Sequence, residues 1–432
     1  MQLDLTRWRS RSIFVTAAIA FAGIIIFFSA KVYVAARWNV SSNPEFWLKA
    51  AELEPGNAEY WRHAGLLRQW DLNPGDMREA VRYLEVATKV NSRSSGVWMD
   101  LADTYATAGD AFRAKEAYEK AQADFPMSAE VAWRYGNFLL YQEEFAEAYP
   151  KIRKAISIDP SLTQTALTEC WQANPSVTPI VNSLLPDKSQ YYVVAMGFFL
   201  SQKLVDPALA VWNRQQERGL PVDMDETVPL VDALIEADRI GEAHQTWQNG
   251  LQALHWPRDS ETNGSLVLNG GFEHDIANGG FDWREVPVSG ASFDFDNAVV
   301  HSGTRSLRVE FDGSNNVDFR HVFEYVAVAP GTHYHFSAFA RTEKISTDRG
   351  IGFEILEVRH PERVQVATAE LTGTSSWTPL EADFATGPET HVVKITLRRV
   401  ASWKFDNKLS GTVWVDDVAL TATGAQIAQN KD

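Results

Sequence analysis

An all-α repeat solenoid followed by an all-β sandwich, led by one apolar N-terminal helix, is the multidomain fold this sequence predicts. Three observations carry the prediction. Residues 13–30 read IFVTAAIAFAGIIIFFSA without a charge. Alanines and prolines recur at an interval of 34 residues between Ala80 and Pro160. From about Ser265 the apolar residues change to a period of two between turn-forming residues.

A chain of 432 residues exceeds one ordinary domain. Its 45% hydrophobic content supports buried cores, so wholesale disorder is not expected. The net charge of −16, with basic residues clustered only in the first dozen positions, argues against nucleic acid as a partner. The single cysteine, Cys170, excludes an intrachain disulfide and a thiolate metal cluster.

The apolar run continues past Lys31 as VYVAA to Ala36. About 20 helical residues cross a hydrocarbon core about 30 Å thick, and a lysine near the end of the span reaches the interface. Arg7, Arg9 and Arg11 precede the run, and Lys31 and Arg37 follow it. The positive-inside rule then gives a cytoplasmic tail over 1–11, a membrane helix over 12–36 and a periplasmic or extracytoplasmic remainder. The expected location is the inner (plasma) membrane, as a single-pass protein. Trp8 and Trp38 fall where the two interfacial belts would lie. The alternative is a signal peptide cleaved after Val34-Ala35-Ala36; the length of the apolar core favours an anchor.

The repeat is carried by Ala80, Ala114 and Ala148, by Ala87, Ala121 and Ala155, and by Pro126 and Pro160. Small residues at fixed positions let two helices approach, and a proline stops the second one. This period with these residues resembles the tetratricopeptide repeat (TPR). In the copy from Ser95 to Ser128 the matching positions are Trp98, Leu101, Ala102, Tyr105, Ala114, Tyr118, Ala121 and Pro126. The next copy keeps Gly136, Leu139, Ala148, Ala155 and Pro160; the first has Trp61 and Gly65 and a three-residue insertion near DLNPG. Phe46–Pro55 resembles a closing helix. TPR repeats are therefore expected over 44–160, and divergent TPR-like helices over 161–256, where Ala208/Trp212 and Ala243/Trp247 lie 35 residues apart. The resemblance implies a concave groove for a peptide or protein partner. By the family's pattern its inward positions fall on Arg62, Trp70, Asp103, Trp133, Asn137 and Tyr141. Trp70 and Trp133 equally suit packing between helices. Of the lysine, asparagine and arginine clamp that grips a peptide carboxylate in similar repeats, Asn137 alone has a match.

After a linker over 257–264, alternating segments follow: RSLRVEF (305–311), HYHFSAFAR (333–341), GIGFEILEV (350–358), HVVKITLRR (391–399) and GTVWVDDVAL (411–420). They predict antiparallel strands with one buried face, and about 160 residues of them fit one two-sheet sandwich or jelly roll over 265–422, ahead of a tail over 423–432. LVLNGGFE at Leu266–Glu273 is read as its first strand and turn. NGGFE, Trp283, HSGTRSLRVEF, YHFSAFAR and the closing SSWTPLEADF and GTVWVDDVAL, in this order, resemble carbohydrate-binding modules of the family 4/9 type over Leu266–Leu420.

Glu273 lies near the start of this half, and Asp416 and Asp417 lie near its end. Pairing of the first and last strands would bring these carboxylates together, which requires a cation, protons or arginines; Arg305 and Arg284 are the candidate counter-charges. Oxygen ligands of this kind suit calcium. The resemblance implies one structural calcium ion held by Glu273, Asp416, the carbonyl of Gly271 and one near Arg305. Sugar rings pack their C–H faces on flat aromatic rings. Trp403 and Phe405, in the loop VASWKFDNKLSG, are the candidates for polysaccharide binding. Trp283, Trp377 and Trp414 occupy motif positions expected in the core. His321, His333, His335 and His360 are scattered and expected on strand surfaces.

No G-x-S-x-G, H-E-x-x-H or P-loop motif occurs. The reading is a non-catalytic, membrane-anchored adaptor whose solenoid binds a protein and whose jelly roll binds a glycan, in envelope polysaccharide assembly or export. A purely structural scaffold without sugar binding is the first alternative, and a glycan hydrolase or lyase the second. An exposed Trp403 beside a groove favours the first reading, and carboxylates about 5–10 Å apart across a cleft favour the last.

Overall fold

The structure is a computed structural model that describes residues 8–41, 43, 45–69, 74–255 and 264–423. Trp70, the tail up to Arg7, nearly all of the expected linker and the C-terminal tail beyond 423 lie outside the described residues. The chain forms two compact units, Met1–Pro186 and Asp187–Asp432.

The first unit is helical. Helix α1 (Trp8–Asn39) contains a stretch, Arg11–Asn39, long and apolar enough to cross a membrane, with none of its most apolar window buried. After α2 (Glu45–Leu53) come three helix pairs: α3 (Ala58–Gln69) with α4 (Pro74–Val90), α5 (Ser95–Thr107) with α6 (Ala111–Asp124), and α7 (Ala129–Tyr141) with α8 (Phe145–Ile158). The unit continues with α9 (Thr163–Ala173) and α10 (Val177–Pro179), which runs into a π turn over Ile180–Leu184. The 34-residue period has a direct physical cause. Ala80, Ala87, Ala114, Ala121, Ala148 and Ala155 are all fully buried. A Cβ on Gly65 would lie 2.7 Å from Leu84 Cγ, and one on Gly136 would lie 2.5 Å from Ile152 Cγ1. The repeated small residues are therefore where paired helices touch. Ser94, Asp110 and Ser128 cap α5, α6 and α7 by accepting from backbone N–H groups.

The second unit opens with two more helix pairs, α11 (Ser189–Ser201) with α12 (Val205–Glu217), and α13 (Met224–Glu236) with α14 (Ile240–Ala253). Ala208, Trp212, Ala243 and Trp247 are buried among them. Ten strands follow: β1 (Arg284–Glu285), β2 (Ala291–Asp296), β3 (Ser306–Asp312), β4 (Phe319–Ala327), β5 (His333–Ile345), β6 (Gly352–Glu357), β7 (Gln365–Ala367), β8 (Gly373–Ala385), β9 (Val392–Arg399) and β10 (Ser410–Ala422). They form two five-stranded antiparallel sheets, ordered β1-β4-β9-β6-β7 and β2-β3-β10-β5-β8, around one apolar core. The five alternating segments of the sequence correspond to β3, β5, β6, β9 and β10. Strand β8 carries SSWTPLEADF, and β1, β2, β4 and β7 have no counterpart among the segments read from the sequence.

The opening stretch is not a regular strand. Leu266 donates to Leu420 and Val418 donates to Gly270, so the stretch runs beside β10. Asn269 (φ 50°) and Phe272 (φ 56°) adopt left-handed conformations that break the ladder. Side chains hold it instead: Leu268 N donates to Glu324 Oε1 at 3.0 Å, and the Asn269 side chain bonds both backbone groups of His274. Burial pushes the Glu324 carboxyl well above its ordinary range.

The second glycine pair, in ANGGFDW, is a docking point. A Cβ on Gly279 would lie 2.2 Å from Val228 Cγ1, and one on Gly280 would lie 2.5 Å from the Trp247 ring. Gly280 N donates to Asp232 Oδ1 at 2.8 Å, and Arg284 pairs with the same carboxylate at 2.5 Å. Phe281 packs edge-on to His244 with ring centroids 5.8 Å apart. Helices α13 and α14 and the sandwich are thus joined by a seat that admits only glycine, and the compact unit begins well before the change in periodicity. Gly280 has φ 62° and Gly331 has φ 61°, but nothing lies within 4 Å of a Cβ on Gly331. Gly331→Ala is expected to cost about 1 kcal/mol, from strain alone, and Gly280→Ala roughly 2 kcal/mol or more, from strain plus overpacking. Urea denaturation of the two variants measures the difference.

Candidate carbohydrate and cation sites

Trp403 and Phe405 are 99% and 105% exposed, on the loop between β9 and β10. The base of that loop is fixed. Ser402 N donates to Asn316 Oδ1 at 3.0 Å, and Asn316 Nδ2 donates to Ser402 O at 2.8 Å. Ser402 Oγ donates to Asp348 at 2.6 Å and accepts from Lys404 N at 3.1 Å, while Lys404 Nζ pairs with Asp348 at 3.2 Å. Beneath lies Arg399, fully buried, donating to Asn316 Oδ1 and Val317 O at 2.7 Å each and to Thr347 Oγ1 at 3.1 Å. Burial pushes the Arg399 pKa down. The aromatic pair is therefore held out into solvent by an ordered base.

The carboxylates singled out in the sequence come together around the loop His301–Thr304. Asp416, fully buried, accepts at Oδ2 from His301 N (2.9 Å) and Ser302 N (3.2 Å), and at Oδ1 from Asp417 N (2.8 Å). Asp417 takes the Ser302 hydroxyl at 2.7 Å and His301 Nδ1 at 2.5 Å. Glu273 accepts from Thr304 N at 2.9 Å and from its hydroxyl at 2.5 Å. A Cβ on Gly271 would lie 3.9 Å from Asp416 Oδ1 and 4.0 Å from Asp417 Oδ1, which places Gly271 against both. Burial first, then Asp417, push Asp416 up to about 6 against the backbone N–H groups. The two candidate counter-charges behave differently. Arg305 donates to the Phe272 carbonyl, pairs with Asp275 at 3.0 Å and helps to lower the Glu273 pKa, whereas Arg284 pairs with Asp232.

Among the described residues no three His, Cys, Asp or Glu side chains form a metal-holding group. A cation here would need backbone carbonyls as well. The donors present, Asp416 without any cationic side chain paired to it, Glu273 and the adjacent Gly271 backbone, are all oxygen, which fits a hard ion such as calcium.

The tryptophans divide. Trp283 is in the core as expected. Trp377 is not: it is half-buried on the outer face of the β2-β3-β10-β5-β8 sheet, where His301 stacks on Phe339 at 3.7 Å and meets Trp377 edge-on at 5.5 Å. The register irregularity of edge strand β8 between Thr378 and Ser375 accompanies this departure from the core phase. Trp414 is buried yet also outward, with its indole N–H on Asp296 at 2.8 Å and Arg341 above its ring.

Residues 264–400 match the carbohydrate binding domain family CBM_4_9. No curated protein is similar to the chain in sequence. Many solved structures are similar to parts of it, and three serve as examples. YrrB, a TPR protein with an unusual peptide-binding site, is 14% identical over 48% of this chain and 96% of its own, with a TM-score of 0.25. A CBM4 module is 19% identical over 36% of this chain and 99% of its own, with a TM-score of 0.28. The CBM22-1-GH10 modules of Clostridium thermocellum xylanase 10B, solved with xylohexaose, are 17% identical over 37% of this chain and only 29% of their own, with a TM-score of 0.27.

In the helical unit, Arg62 and Asp103 join one ion ladder. Asp100 bridges Arg62 (2.5 Å) and Arg134 (3.1 Å), and Asp103 accepts from Arg134 and Tyr118. Trp133 and Asn137 are half-buried, and Tyr141 is 87% exposed. Asp100 and Arg134 were missed because their roles depend on pairing across 34 residues, which one repeat does not display.

Within the sandwich, Arg399 and Asn316 were not among the residues singled out in the sequence. The signal for Arg399 was present: it continues the inward phase of Val393, Ile395 and Leu397, whereas Arg398 faces outward. Asn316→Ala removes the bonds that hold Ser402. It is expected to speed amide hydrogen exchange at Ser402 and Lys404 by about tenfold, the effect of losing about 1 kcal/mol of local hydrogen bonding, with Trp403 still exposed.

Proposed function

We propose that the chain is a non-catalytic, membrane-anchored adaptor whose helical unit binds a protein partner and whose carbohydrate binding domain engages a polysaccharide during envelope polysaccharide assembly or export. The observation that carries the reading is the fully exposed Trp403–Phe405 pair on an ordered loop, in a domain matching a carbohydrate-binding family. Exposed aromatic pairs of this kind mark interaction sites, and sugar C–H faces suit flat rings. Helix α1 serves as the anchor, with the short N-terminal segment cytoplasmic and the remainder periplasmic or extracytoplasmic. Since Arg62 and Asp103 are satisfied within the ion ladder, recognition in the helical groove falls to Trp70, Trp133, Asn137 and Tyr141. Carboxylate capture is not part of this reading.

One calcium ion, held by Glu273, Asp416 and the carbonyls of Gly271 and of a residue near Arg305, is proposed as a structural support. Bound there it would supply charge to the Asp416–Asp417 pair. The residues themselves clasp the His301–Thr304 loop against the end of β10, and no chemistry is assigned to the ion.

The test uses the full chain in detergent. Trp403→Ala is expected to weaken retention on the polysaccharide it binds by about tenfold or more, as a buried aromatic contact worth about 1.4 kcal/mol or more would. Unchanged retention would remove Trp403 from the site, and a blank across diverse polysaccharides would leave the scaffold reading. Millimolar calcium is expected to raise the melting temperature of the sandwich by a few degrees, the shift produced by about 1–3 kcal/mol of ligand binding. Asp416→Asn should abolish that rise; no calcium effect on the unaltered chain would refute the ion.

A further inference from the structure

We propose that the outer face of the β1-β4-β9-β6-β7 sheet recognises the carboxylate groups of an acidic polysaccharide, with Lys394 as the cation that meets them. This rests on the carbohydrate reading above and names the class of glycan.

The strand register builds the face. Lys394 on β9 lies between Tyr325 on β4 and Leu356 on β6, and Phe323 lies between Arg284 on β1 and Thr396 on β9. The Lys394 ammonium stands 3.7 Å from the Phe323 ring centroid, and the Arg284 guanidinium stands 4.5 Å from that of Tyr325. The two rings are 5.6 Å apart. A half-buried pair of rings with cations beside them offers a sugar both stacking and charge.

The arginines of this face are each paired with a carboxylate. Arg284 is paired with Asp232; Arg398 with Asp318 and, at 3.5 Å, Glu354; and Arg320 with Asp318. Lys394 is half-buried, and among the described residues no carboxylate lies within ion-pair distance of it. Burial, with Arg320 and Arg284 adding, pulls its pKa below the ordinary lysine value while Glu354 resists. A desolvated ammonium without a counter-ion is costly, even over an aromatic ring. An anion carried on an apolar-faced ring, such as a uronate, satisfies both the ammonium and the rings, which a neutral sugar does not.

The experiment measures binding of the full chain in detergent to polygalacturonate and alginate, to their carboxyl-reduced neutral forms, and to xylan. Two variants are compared: Lys394→Gln, and Leu356→Glu, which supplies Lys394 with a carboxylate from the neighbouring strand. The expected result is binding to an acidic polymer that weakens about tenfold on carboxyl reduction and in either variant that melts like the unaltered chain, the fold-change for one lost charge-assisted contact. Acidic and carboxyl-reduced polymers bound equally, or both variants binding as the unaltered chain does, would overturn the proposal. Binding only to neutral polysaccharides would overturn it while leaving the carbohydrate reading intact; binding to none would overturn both. Competition by inorganic phosphate as strong as by free galacturonate would also overturn it, by showing a site for small anions.

Discussion

The close approach of Gly279 and Gly280 to Val228, Asp232 and Trp247 is the constraint on which the C-terminal unit depends. Any side chain there would enter the Trp247 ring or Val228, so the contact exists only because this loop carries two adjacent glycines. Once made, it places Asp232 where it satisfies both the Gly280 amide and the Arg284 guanidinium. Arg284 is the first residue of β1, and its guanidinium also lies over Tyr325. One helical carboxylate therefore fixes the edge of the sheet and one of its outward cations. Helix pairing and sheet construction are coupled through a few atoms.

The parts of the fold legible in the sequence were those where one physical rule acted alone. Buried alanines at helix contacts must recur with the repeat, and they did. Strands β3, β5, β6, β9 and β10 alternate because one face is core. Strand β4 was hidden because its alternation is inverted in the middle: Glu324 points inward as a buried acid, while Phe323 and Tyr325 point outward under Lys394 and Arg284. The opening stretch looked like a strand because its apolar spacing fits one, but left-handed Asn269 and Phe272 are not visible in composition. Trp377 was expected inside because hydrophobicity does not specify which face of an edge strand a ring takes.

The candidate sites show the same division. Glu273, Asp416 and Gly271 were brought together by an ordered motif at the two ends of the domain, and the structure collects them around His301–Thr304. The exposure of Trp403 and Phe405 followed from the turn residues around them. What holds them, the buried Arg399 and the Asn316–Ser402 exchange of hydrogen bonds, joins residues more than eighty positions apart and could not be read locally. In the helical unit, charges that a single repeat displays as free groove residues are neutralised by partners one repeat away.

The most direct test of this account is hydrogen–deuterium exchange of the full chain with and without the polysaccharide it retains. The account predicts slowed exchange in the sandwich, at the 400–409 loop and along β4 and β9, with the helical unit unchanged. Slowing confined to the helical unit, or none in the sandwich despite saturating polysaccharide, would contradict it.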